Sequence, residues 1–412
     1  MLLAHPLTET GQLGVAPAFV ALLAVVITIG GGWMLSKRGV RPPEAAQPGI
    51  GQPGIGQPGV ARQVLGWSAW TIIGRIVGVG LLALGVVAGR FGDTAQLDNI
   101  APALIVGFGW PALLVGSAAV GGVWAWLAPF DTLARGMDAV AGQTRVRTAP
   151  PWLEWISVAG ALGWAWWLAN FLPGLEPRAV GLALGLYTLV TLAGCLMCGR
   201  VAWLHHAEVF TLVFSSLSEA RTRLLTTTST AHVSALAVLI GGLTFSELRF
   251  SRWYLSEVER FGVLAFSEPP AVIGFVVVVG IALLVIHGVL RWAVRLQSGA
   301  TVLTLLPWLV AGLGLFASVE RDRLWTSAQL VIIRASDPMG WGTNLFGTAQ
   351  LALSGWPYGD TWRAVAQITV LVVPVLAGLR VALGGASRRR PEPVMVLAVV
   401  WVLFPVLSAA SL

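Results

Sequence analysis

Long apolar runs alternate with short polar breaks along almost the whole chain. The hydrocarbon core of a bilayer is about 30 Å thick, so a helix that crosses it needs about 20 mostly apolar residues. Ten runs meet this pattern: Val15–Met34, Trp70–Gly89, Pro102–Trp124, Trp155–Leu172, Arg178–Cys198, Ser229–Phe245, Ala271–Leu290, Ala300–Ser318, Ala364–Gly384 and Val394–Leu412. Ser229–Phe245 is short and opens on a Thr/Ser run, and Val209–Leu217 is too short to span, so the latter reads as an interfacial or re-entrant piece. The pattern predicts an all-α, polytopic transmembrane helix bundle of about ten spanning helices. Residues 1–35 form an anchor helix, 36–66 a flexible linker rich in Pro, Gly and Gln, and 67–412 the bundle, with a long loop at 319–363.

Composition narrows the function classes. Of 412 residues, 56% are hydrophobic and 11% charged, with a net charge of +7, against about 25% charged in a soluble domain. That excludes a cytosolic enzyme, a disordered regulator and a nucleic-acid-binding protein, and makes the lipid bilayer the main partner. Two cysteines exclude a disulfide scaffold. Cytoplasmic loops carry the excess of Lys and Arg. With the N-terminus outside, 16 of the 26 basic residues fall on the cytoplasmic side, nine outside, and Arg75 lies within a span. The acidic residues lean the other way, seven inside and 12 outside, so both termini are expected outside. The first run lacks a basic flank before it and is followed by Ser36-Lys37-Arg38, the flank of a retained anchor rather than of a cleaved signal.

Few residues suit chemistry. A charge inside a span is costly, so Arg75 either pairs or snorkels to the surface, with Asp131 and Glu208 as its candidate partners. His205, His206, His232 and His287 fall at or near the cytoplasmic helix ends. With Glu208 they could hold a divalent metal, or they are interfacial histidines with ordinary hydrogen bonds, since none has the i, i+4 spacing of a helical metal site. Cys195 and Cys198 have C-x-x-C spacing but sit in an apolar run without a second pair, which suits inert buried thiols. The 20 Trp residues fall mostly near span ends, as an interfacial belt would, and Gly74/Gly78 and Gly181/Gly185 have the spacing of close helix contacts. The loop 319–363 is too long for a connector and suits a folded outer cap, either packing on the bundle or seating a protein partner. Within it Asp337 precedes Pro338 as a helix cap, a hydrogen-bond acceptor or a catalytic base. No Walker loop, nucleophile elbow or paired metalloprotease histidines occur.

Several segments together carry a resemblance. They are Asn99-Ile-Ala-Pro-Ala-Leu-Ile-Val-Gly-Phe-Gly-Trp-Pro, the run from Val123-Trp-Ala-Trp to Asp131-Thr-Leu, and Pro151-Trp-Leu-Glu-Trp. Further on come Glu176-Pro-Arg, Tyr187-Thr-Leu-Val-Thr-Leu-Ala-Gly, Trp203-Leu-His-His-Ala-Glu-Val-Phe and Ala335-Ser-Asp-Pro-Met-Gly-Trp-Gly-Thr-Asn-Leu-Phe-Gly-Thr-Ala. In this order they resemble the fenitrothion hydrolase-like family of multi-pass prokaryotic membrane proteins. The resemblance implies a place in the prokaryotic cytoplasmic membrane and hydrolysis of an organophosphate ester. The chain departs from the family's pattern at Gly314-Leu315-Phe316, where members carry an Ala-His-Tyr-like element, and at Leu371–Leu376, where a histidine is expected. Ala128-Pro129-Phe130-Asp131 likewise replaces the usual Asn-Pro-Trp-Arg-like corner. Three readings therefore stand: a hydrolase-family member, a small-solute permease or channel, and a membrane subunit that scaffolds a partner at the outer loop.

Overall fold

The computed structural model of the chain describes residues 69–141, 149–170, 176–226, 228–260, 268–319, 323–357, 359–384 and 390–410. The expected anchor run Val15–Met34 and the linker at 36–66 lie outside the described residues, as does the acidic and basic stretch 320–322. Every regular element among the described residues is helical. In chain order the helices of five or more residues are α1 (Ala69–Phe91), α2 (Ile100–Ala119), α3 (Val123–Leu127), α4 (Pro129–Ala141), α5 (Trp155–Asn170), α6 (Pro177–Cys198), α7 (Arg200–His206), α8 (Val209–Ala220), α9 (Thr230–Leu248), α10 (Arg252–Arg260), α11 (Glu268–Arg295), α12 (Gly299–Val319), α13 (Arg323–Ala335), α14 (Asp360–Gly384) and α15 (Glu392–Ala410).

Seven of these, α1, α2, α6, α9, α11, α12 and α14, are long and apolar enough to cross a membrane. Each coincides with an expected span. Of the other three expected spans, Trp155–Leu172 becomes the 16-residue α5 and Val394–Leu412 becomes α15, whose strongly apolar part is Glu392–Leu403, while the first is not described. The segment at Val209 is the 12-residue helix α8, at 1.5 Å per residue about 18 Å long and too short to span.

The α2 span is not a uniform helix. Asn99 caps it, accepting the Ala101 N–H at 3.0 Å and donating to the carbonyls of Ala88 at 2.7 Å and Asp93 at 2.9 Å, which ties the end of α1 to the start of α2. From Ala103 to Gly109 the helix widens into π turns. Pro111 has no N–H, and in a helix its ring meets the carbonyl four residues back. A widened turn just before it absorbs both effects.

Helices α9 and α12 form the centre, each with 89% of its most apolar stretch buried, against 28% for α6 and 22% for α11, whose outer faces are left to lipid. Around α9 pack α5 and α11, and around α12 pack α14, α8 and α2. Apolar burial drives little association where the solvent is itself hydrocarbon, so close packing of small residues must supply the contact. A side chain on Gly241 would meet the Val279 backbone of α11, and one on Gly242 would meet Ala165 of α5. Outside this centre α1 and α6 pair through Gly89 and Gly181, whose backbones touch.

Gly181→Leu forces a side chain into the α1 backbone at Arg90 and Gly89. Overpacking of this kind costs about 1–3 kcal/mol. The expected outcome is a lower thermal unfolding midpoint in detergent than for Gly280→Leu, whose added side chain meets open space; equal midpoints would remove the α1–α6 contact from the packing argument.

Candidate functional site

A chamber of about 630 Å³ lies between the α1/α6 pair and α2, α5 and α8. Its lining is apolar and largely aromatic: Trp110, Trp124, Trp164, Trp167, Phe210 and Phe214 contribute rings, and no charged side chain is among the lining residues. Several rings meet edge to face, with Trp110 and Trp164 5.4 Å apart and Trp164 and Phe210 5.2 Å apart. The widened part of α2 supplies Leu104, Ile105, Phe108 and Gly109 to the wall. Phe108 and Leu81, also lining residues, are among the exposed large hydrophobic side chains. Gly160 and Gly163 of α5 also line it; a Cβ on Gly163 would meet nothing, and one on Gly160 would press on Val209.

The indole N–H groups of Trp110 and Trp164 are buried and have no acceptor among the described residues. Trp110 is buried, and its nitrogen lies beside Gly314 of α12, where any larger residue would crowd it. The Tyr187 phenol faces the chamber and donates to Glu208. Glu208 is the N-cap of α8: its carboxylate accepts the N–H of Phe210 at 3.0 Å, the N–H of Thr211 at 2.6 Å, and the Thr211 hydroxyl. The Trp124 indole in turn donates to that hydroxyl at 3.0 Å. A buried carboxylate so fully engaged fixes the ring wall rather than standing free for chemistry.

Arg75 is half-buried near the start of α1 and pairs with Asp131 of α4 at 2.6 Å, and also donates to Thr132 at 3.1 Å. Glu208, the other expected partner, is taken by Tyr187 and the α8 cap. Asp131 is a hub. It also accepts from Arg135 at 2.9 Å and from Arg200 of α7, which reaches Asp138 at 3.3 Å as well. Burial pushes the Asp131 carboxyl up, but hydrogen bonds from Arg135 and Arg75 and the charges of Arg135 and Arg200 outweigh it and hold it below the ordinary aspartate range.

The structure separates the four histidines. His206 and His232 come together, their rings 6.3 Å apart, and the His206 Nδ1 lies 3.1 Å from Glu154. His205 points outward, and His287 instead pairs with Ser234 at 3.0 Å. Glu154, which stands in the 3₁₀ turn before α5, was not singled out by spacing or hydropathy. Trp124 and Trp164, expected in an interfacial belt, line the chamber instead. Cys195 and Cys198 are free thiols.

Asp337 lies after α13 and organises the loop that follows. Its carboxylate accepts the N–H of Trp341 at 2.9 Å and of Gly342 at 2.8 Å, and the Thr343 hydroxyl at 2.9 Å. Ser336 fixes the same loop, accepting the N–H of Phe346 and of Thr348 at 3.0 Å each. The turn presents Trp341, Leu345 and Phe346 outward. Burial raises the Asp337 carboxyl, and the Gly342 N–H and Thr343 hydroxyl more than reverse this, leaving it below its ordinary value.

Because the folded Asp337 pKa is depressed, its contribution is full above the ordinary aspartate value and is lost as pH falls through the folded one. Asp337→Asn is expected to lower the unfolding midpoint at neutral pH by an amount that shrinks on acidification, read by thermal unfolding in detergent across that range. A pH-independent difference would sink this role. Asp131→Ala leaves Arg75 half-buried without its carboxylate, a costlier change than losing an exposed pair. It is expected to reduce folded yield more than Arg223→Ala, whose partner Glu219 is on the surface; a size-exclusion comparison of the two decides it. Comparison with family models, curated proteins and solved structures finds no match for this chain.

Proposed function

We propose that this membrane protein takes a small, uncharged, largely apolar molecule from the bilayer into the aromatic chamber. The observation that carries the reading is an aromatic chamber with no charged side chain among its lining residues. A neutral ester with apolar substituents suits such a lining. The resemblance to the fenitrothion hydrolase-like family supports the same substrate class and adds hydrolysis as the reaction. A permease for charged solutes finds no support in such a lining.

A second reading, a membrane subunit that seats a protein partner, is favoured by the outward Trp341, Leu345 and Phe346 of the loop after α13. The two readings separate in one experiment. Gly163 lines the chamber and a Cβ there meets no neighbour, so Gly163→Leu is expected to narrow the chamber while leaving that loop unchanged. Binding of an aryl phosphate triester to protein in lipid nanodiscs is measured by equilibrium dialysis. Gly163→Leu is expected to weaken binding by about tenfold or more. Equal affinity for wild type and Gly163→Leu would overturn the chamber as the ligand site. Release of the phenol in the same samples tests hydrolysis separately from binding.

A further inference from the structure

We propose that Glu154, His206 and His232 form a binding site for a divalent transition-metal ion of zinc type. This inference does not depend on the chamber or its ligand. Three separate elements supply the donors: the 3₁₀ turn Pro151–Glu154, the last residue of α7, and the first turn of α9. One carboxylate oxygen and one nitrogen from each ring all lie within 4.8 Å of one another.

The geometry is close to that of a metal set. Zinc holds nitrogen and carboxylate oxygen at about 2.0–2.2 Å in a tetrahedron, which puts two ligand atoms about 3.3–3.5 Å apart. The His206 Nδ1 and Glu154 Oε1 already stand at 3.1 Å, so an ion can replace the hydrogen between them with little movement. The His232 donor lies within 4.8 Å of the other two, so its ring closes the set with a shift of at most about 1.5 Å.

The surroundings orient the donors as second-shell groups orient metal ligands. The His232 Nε2 faces the main-chain carbonyl of His206 at 3.2 Å. A carbonyl only accepts, so Nε2 carries the hydrogen and Nδ1 keeps its lone pair. Ser229 caps α9, accepting the His232 N–H at 3.2 Å, and its hydroxyl also bonds Glu154. The His206 end of α7 is pinned by the N–H groups of Ala207 and Glu208, which both donate to the Trp203 carbonyl. The Glu154 and His206 side chains are 26% and 37% exposed, which leaves solvent able to supply a fourth ligand. Two histidines, one glutamate and a water are the donor set of an open zinc site. Softer thiolate ligands are not involved, and an all-oxygen magnesium or calcium site is excluded by the imidazoles.

The test uses the full chain, purified in detergent without chelator and without a histidine tag. Zn²⁺ titration is expected to give one bound equivalent per chain. His232→Ala and Glu154→Gln are expected to weaken it by about tenfold or more, while His205→Ala, which changes the outward neighbour of His206, leaves it intact. Co²⁺ loaded on the wild type should give the intense visible absorption of a tetrahedral site, lost in His206→Ala. Unchanged size-exclusion profiles show that the variants fold. If a variant does not fold, the wild-type cobalt spectrum decides, since only the weak spectrum of aqueous cobalt would overturn the site. Failure of the wild type to hold stoichiometric zinc, or undiminished binding in all three ligand variants, overturns it as well.

Discussion

The enclosure of α9 and α12 by other helices is the constraint on which the rest of the structure depends. A spanning helix must satisfy its own backbone hydrogen bonds, and among lipids it gains little by hiding apolar surface. What holds such a helix in the centre is contact at short range. Gly241 and Gly242 let α11 and α5 approach α9, and Gly312 lets α14 approach α12 at the Leu371 carbonyl. Because α5, α8 and α2 are committed to this centre, the α1/α6 pair stands outside them. The aromatic chamber is the space left between the two layers.

Buried and half-buried carboxylates in this fold are engaged rather than idle. Asp131 draws α1, α4 and α7 together through three arginines. Glu208 caps α8 and steadies the Tyr187 wall of the chamber. Asp337 closes a tight loop with three donors. Each is the least costly way to bury a charge, which must be paired or fully hydrogen-bonded. The consequence for function is a division of labour: the chamber is left uncharged, while the imidazoles and Glu154 gather at the helix ends where solvent reaches them.

Much of this was legible in the chain. The seven membrane-length helices follow from hydropathy, because the length of an apolar run is a property of consecutive residues. Arg75 was legible as a group needing a partner, and Asp131 as one of two candidates, since a charge in a span is too costly to leave alone. The choice between Asp131 and Glu208 was not legible, because both lie far along the chain from Arg75. Trp124 and Trp164 sit near span ends, as belt residues do, and only the facing of their helices turns them inward. Glu154 stood only inside the Pro151-Trp-Leu-Glu-Trp segment, with no sign of a ligand role, because its partners come from α7 and α9.

The sequence by itself determined that the chain is helical, that its solvent is mostly lipid, and where the membrane-length segments lie, because these depend on local hydropathy and on backbone groups that bond within one helix. Only the tertiary structure decided which two helices are enclosed, which of four histidines meet, and where an apolar chamber remains. Those outcomes depend on how neighbouring helices are turned about their axes, and small residues set that by allowing backbones to touch at some faces and not at others.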